Sequence, residues 1–95
     1  MYNEMFVWDD SKNEINIRKH RIDFEEASTV FDDEFAVCFD DEAHSSENEE
    51  RFNIIGMSNM LKILMVCHCY SNGNNFIRII SARKASKNEI KYYRR

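Results

Sequence analysis

The segment Ile77-Arg78-Ile79-Ile80-Ser81-Ala82-Arg83-Lys84, continued by Lys87, Lys91, Arg94 and Arg95, carries the residues best suited to chemistry on an anion. A guanidinium is a rigid fork of N–H donors that fits carboxylate or phosphate oxygens, and within an apolar strand it loses hydration unless an anion faces it. Arg78 therefore calls for a specific partner, either a phosphate or one of the acids of the N-terminal half. Arg83 follows on the same predicted strand. In regular alternation the two arginines point to opposite faces, so one phosphate meets both only if the strand twists, bulges or ends between them.

Proton transfer needs other groups. Lys19-His20 closes a predicted helix, where a histidine can titrate near neutral pH, favour the helix C-terminus as a cation, or simply pack. In Glu49-Glu50-Arg51 a carboxylate beside an arginine is either a base held ionised or a surface ion pair, and Glu50 is the candidate base. His44, within an acidic run, reads as solvent-exposed, with an RNase-type role as the sharper alternative. Cys67-His68-Cys69 invites a metal. In a strand, however, the two thiols share one face and the imidazole takes the other, and the spacing is not that of a zinc site, so no metal is expected. Trp8 reads as core unless it lies exposed beside the basic segment, where it would stack on a base.

The elements that must position these residues follow from periodicity. Phe6-Val7-Trp8 is a short strand ended by Asp9-Asp10. Ser11-Lys12-Asn13-Glu14 has the form of a capping box and predicts a helix to about Arg21. Asp23 to Glu26 repeats that punctuation, and Phe24, Ala27 and Phe31 at i, i+3 and i+7 predict a second amphipathic helix. A strand over Phe35 to Phe39 precedes a charged, mobile loop from Asp40 to Glu50. Arg51 to Ser58, Leu61 to Tyr70 and Asn75 to Arg83 form a meander joined at Asn59-Met60 and Ser71-Asn72-Gly73-Asn74. Leu61 to Cys67, apolar at both parities, is the central strand. A last helix follows Ser86, with Glu89 three residues on and Ile90 and Tyr93 on one face. The order β-α-α-β-β-β-β-α predicts an α+β domain, its helices packed with one antiparallel sheet of about five strands.

Ninety-five residues, 43% apolar and 32% charged, make one domain over residues 1–95 and exclude a multidomain enzyme or a disordered chain. A net charge of −4 argues against a nucleic-acid binder until the halves are separated. Residues 1–50 hold sixteen acids and four bases, whereas residues 51–95 hold one acid, Glu89, and nine bases. One end therefore suits a polyanion. No apolar run reaches the ~18 residues of a membrane span, and Met1-Tyr2-Asn3-Glu4 lacks the features of a signal peptide, so a cytoplasmic protein with no membrane role is expected. Cys38, Cys67 and Cys69, an odd number in apolar surroundings, read as buried reduced thiols.

The blocks Phe6-Val7-Trp8-Asp9-Asp10-Ser11-Lys12-Asn13, Asn16 with Lys19-His20, Phe24-Glu25-Glu26-Ala27 with Val30-Phe31-Asp32-Asp33, Arg51 with Ile55-Gly56, Ile77 to Ala85, and Glu89 with Tyr92 or Tyr93 occur in an order that resembles the BrnT family of type II toxins. Arg21 departs from that pattern, in which glycine is usual, at a position that suits a helix C-terminus. The resemblance implies a RelE-like fold and the toxin of a toxin-antitoxin system, an endoribonuclease whose RNA cleavage inhibits translation. It also implies a ribbon-helix-helix antitoxin (BrnA-like) that binds operator DNA, the two assembling as a heterotetramer.

Residues and resemblance together suggest a metal-independent reaction without cofactor, in which the RNA 2′-hydroxyl attacks the neighbouring phosphate. Arg78 and Arg83 are the expected transition-state cations, with Arg51 a third. His20 and Glu50 are the expected proton-transfer groups, and Lys12, Lys19, Lys84 and Lys87 bind flanking phosphates. The alternative is a non-catalytic RNA- or protein-binding module that uses the same basic C-terminal third.

Overall fold

The computed structural model describes residues 5–71, 73 and 75–93. Arg94, Arg95, the N-terminal Met1 to Glu4, and Asn72 and Asn74 of the predicted turn lie outside the described residues. The elements are β1 (Phe6–Val7), α1 (Asp10–His20), α2 (Phe24–Ser28), a 3-10 turn (Thr29–Asp32), β2 (Val37–Asp40), a second 3-10 turn (Glu42–His44), β3 (Phe52–Met57), β4 (Ile63–Ser71), β5 (Phe76–Lys84) and α3 (Lys87–Tyr93). The expected order and α+β class hold. Strands run β1-β5-β4-β3-β2 across one sheet, with β4 central as its two-sided apolar pattern requires. The sheet is mixed rather than wholly antiparallel, because the chain crosses from β1 through both helices before it returns and β1 pairs parallel to β5.

Helix α1 begins two residues earlier than the Ser11 capping box suggests. Asp9 is the N-cap, its Oδ1 accepting the amides of Ser11 and Lys12 and the Ser11 hydroxyl, and its carbonyl takes the Asn13 amide, so Ser11 falls inside the first turn. Arg21 closes the helix at φ 62°, donating its amide to the Ile17 carbonyl. Asn16 is the helix's buried residue. Its carboxamide accepts from the Ala82 amide at 3.1 Å and donates to the Ala82 carbonyl at 2.8 Å and the Ile22 carbonyl at 2.8 Å. Since β1 reaches only Ile77 and Arg78, this side chain takes the place of a strand partner farther along β5.

Asp23 caps α2 as expected, through the Glu26 amide. The core joins Ile22, Phe24, Ala27 and Val30 to Ile54, Leu64, Val66, Ile79 and Ala82, with Phe6 at its end and Trp8 and Phe31 at its margin. Gly56 permits the close approach of this layer, since a Cβ there would lie 2.8 Å from Val30 Cγ1 and 2.9 Å from Ala36 Cβ. On α3, Ser86 and Glu89 form the reciprocal capping box, and the Tyr93 hydroxyl donates to Asp33 Oδ2 at 2.7 Å. Burial pushes the Asp33 carboxyl up, but donation from Met57, Tyr93 and Phe35 outweighs it and holds the pKa low.

Candidate active site

Strand β5 does not alternate regularly. Cys67 pairs with Ser81 and His68 with Ile79, which leaves Ile80 as an extra residue on β5. The bulge reverses parity between Arg78 and Arg83. Arg78 lies opposite Cys69 and Arg83 opposite Met65, and Met65, Cys67 and Cys69 share one face of β4. Both side chains therefore stand on the face turned away from Val66 and Leu64, as contact with one phosphate chain requires. Arg51 joins them from the start of β3.

A hollow of about 210 Å³ opens on this face, lined by Asp41, His44, Arg51, Asn53, Met65, Cys67, Ile80, Ser81 and Arg83. Carboxylates fix both of its arginines. Arg51 Nε donates to Glu49 Oε1 at 2.9 Å, and this bond, with the nearby Arg78 charge, holds the Glu49 carboxyl below its usual range. Arg83 donates through both terminal nitrogens to Glu89 at 2.8 and 2.9 Å, and this pairing holds Glu89 down to about 2. Arg78 is exposed and, among the described residues, has no carboxylate within ion-pair distance. Dehydration therefore does not force a partner on it. Its full fork is open to a ligand.

The loop over 41–51 is closed on itself. The Asp41 amide donates to the Arg51 carbonyl at 2.8 Å, and Ser45 Oγ accepts from the Arg51 amide while donating to the Asp41 carbonyl. This puts Asp41 and His44 at the rim of the hollow. Burial, and next the Asp41 charge, push the Cys67 thiol up to about 11, and burial with Glu49 pushes up Cys69. Both stay protonated at neutral pH and are poor nucleophiles.

Two expected proton-transfer groups are elsewhere. Glu50 is exposed and lines a separate hollow of about 390 Å³ with Asn48, Glu49, Phe52 and Tyr70, and it is Glu49 that bonds Arg51. His20, half-buried, ends α1 and does not line the Arg51–Arg83 hollow. Lys12 and Lys19 are exposed on α1, and Lys84 and Lys87 are exposed where β5 passes into α3, next to Arg83. Trp8 packs edge-on to Phe24 on the helix side rather than beside the basic strand.

The tripeptide 67–69 splits across the sheet as expected. His68 is fully buried among Phe31, Phe52 and Tyr70, its Nδ1 donates to the Val66 carbonyl at 3.3 Å, and burial lowers its pKa. The three cysteines are free thiols; Cys38 is exposed rather than buried, because β2 is an edge strand and turns it outward. Asp41, Asn53, Glu49 and Ser81 were not singled out by sequence reasoning. Asn53 follows from Arg51 by strand parity, whereas Ser81 depends on the bulge and Asp41 is one acid among many.

A mixed sheet that packs α1 and α2 on one face and, on the other, sets Arg51 and Arg83 at a hollow with Arg78 farther along the same face is a scaffold suited to a phosphate-rich polymer. Residues 8–89 match the family described as the ribonuclease toxin, BrnT, of the type II toxin-antitoxin system, and the chain belongs to that family. It is a ribonuclease toxin, and as the toxin of such a pair it has an antitoxin partner. Among solved structures it is similar to the Brucella abortus ribonuclease toxin BrnT, with 29% identity over 87% of this chain and 99% of that one and a TM-score of 0.64. A search of curated proteins gives no match. Among the described residues no helix is long and apolar enough to cross a membrane.

Proposed function

We propose that the arginine-lined face is where RNA is cut, by attack of a 2′-hydroxyl on its own neighbouring phosphate. The observation that carries this reading is the bulge at Ile80, which sets Arg78 on the same face as Arg51 and Arg83. Arg78 binds a phosphate through its open fork. Arg51 and Arg83, oriented by Glu49 and Glu89, stabilise the charge that grows on the equatorial oxygens. Guanidiniums supply positive charge without a metal, and dependence on the 2′-hydroxyl makes DNA a non-substrate. Lys87 extends the track along flanking phosphates, whereas Lys84, opposite Leu64 on β4, has the parity of the other face.

Cleavage of RNA in the cytoplasm then stops translation. The antitoxin, a BrnA-like ribbon-helix-helix protein, neutralises the toxin by covering this cationic face, and its own dimerisation yields a heterotetramer that binds operator DNA. The deciding experiment is a gel assay of the purified protein on a defined RNA in EDTA, beside Arg78→Ala. Cutting in EDTA that the folded variant loses is the expected result. Intact RNA that is nevertheless bound would favour a non-catalytic binding module, and cutting by Arg78→Ala at the unmodified rate would sink the site assignment.

A further inference from the structure

His44 stands at the rim of the hollow and belongs to no step described so far. Its Nδ1 lies 2.9 Å from Asp41 Oδ2 and 3.1 Å from Oδ1. A carboxylate only accepts, so Nδ1 carries a hydrogen, and in the neutral ring that tautomer leaves Nε2 as the acceptor. Asp41 is itself held firmly: its side chain is 11% exposed, its backbone is tied to Arg51, and Oδ2 also accepts from Cys67 Sγ at 3.7 Å. His44 is 67% exposed, so its other ring edge is open to a ligand in the hollow that Arg51 and Arg83 line. An oriented imidazole beside cations is the arrangement needed to take a proton from a hydroxyl next to a phosphate.

We propose that His44 is the general base of the cleavage, accepting the 2′-hydroxyl proton at Nε2, and that Asp41 is the positioning residue that fixes its tautomer. This inference rests on the RNA-cutting face argued above. The oxygen–hydrogen electron pair of the 2′-hydroxyl forms the new bond to phosphorus as the proton passes to Nε2. The bond from phosphorus to the 5′-oxygen breaks, and that oxygen takes a proton from water. His44 then returns its proton to the hydroxide so formed. The products are a 2′,3′-cyclic phosphate and a 5′-hydroxyl.

The test compares the unmodified protein, His44→Gln, His44→Gly, Asp41→Asn and Arg78→Ala on one defined single-stranded RNA, with binding read on the 2′-O-methyl version of that RNA. His44→Gln is expected to cut at least about 10²-fold more slowly while binding the 2′-O-methyl RNA as before. Imidazole in the buffer is expected to restore cutting by His44→Gly, and Asp41→Asn to shift the His44 nitrogen resonances away from the Nδ1-protonated form. Unchanged cutting by His44→Gln, where Arg78→Ala is inactive, would overturn the role of His44 and leave the site in place. Loss of binding together with cutting in His44→Gln would make it a binding group and overturn the base assignment. Unchanged cutting by both His44→Gln and Arg78→Ala would overturn the site and the base together.

Discussion

Glu89 is the single acid of residues 51–95, and the structure uses it to hold Arg83. Its pKa of about 2 lies below the ordinary glutamate value of 4.5, so the unfolded chain binds more protons between those two limits. The stabilisation is complete above pH 4.5 and is lost as the pH falls towards 2. The partners are 43% and 21% exposed, so solvent screening keeps the contribution to about 1 kcal/mol. Urea titrations from pH 6 to pH 3 are expected to show Glu89→Gln about 1 kcal/mol less stable at pH 6, with the gap closing as the pH falls. At this scale residue types were legible: Arg51, Arg78 and Arg83 stand out by chemistry alone. Partners were not, because Glu49 and Glu50 are identical groups and only the path of the chain into β3 chooses between them.

Between residues and molecule, the elements were readable wherever periodicity and caps agree. The Ser86–Glu89 capping box forms, and Asp23 caps α2. Asp9 caps α1 in place of Ser11 because its carboxylate takes the amides of Ser11 and Lys12 and its carbonyl that of Asn13, which starts the helix two residues earlier. The bulge at Ile80 could be stated only as a condition, since it is fixed by how β4 packs against β5 and not by either strand alone. Arg21 gives a direct test of local strain. At φ 62° its Cβ crowds the backbone, a crowding that glycine lacks. Arg21→Gly is expected to raise stability by about 1 kcal/mol, seen as a higher melting temperature with helix content unchanged.

For the whole molecule, the opposition between an acidic first half and a basic second half turns into geometry. The sheet face built by β3, β4 and β5 collects the arginines, while most acids remain on the helices, turns and loop. Net charge therefore misrepresents what a ligand meets on that face. Three guanidiniums imply that the logarithm of affinity for 2′-O-methyl RNA falls with the logarithm of salt at a slope of about −2, and Arg78→Ala is expected to make that slope shallower by about 0.7. Fluorescence anisotropy across a salt series measures both. Asn16 matters at this scale for another reason. Among the described residues no strand covers the outer side of β5 beyond Arg78, and an open edge of that kind templates association with a second chain. With both polar groups of Ala82 occupied by one carboxamide, the edge offers an incoming strand nothing to pair with at that position, and the sheet is guarded there against growing into an aggregate.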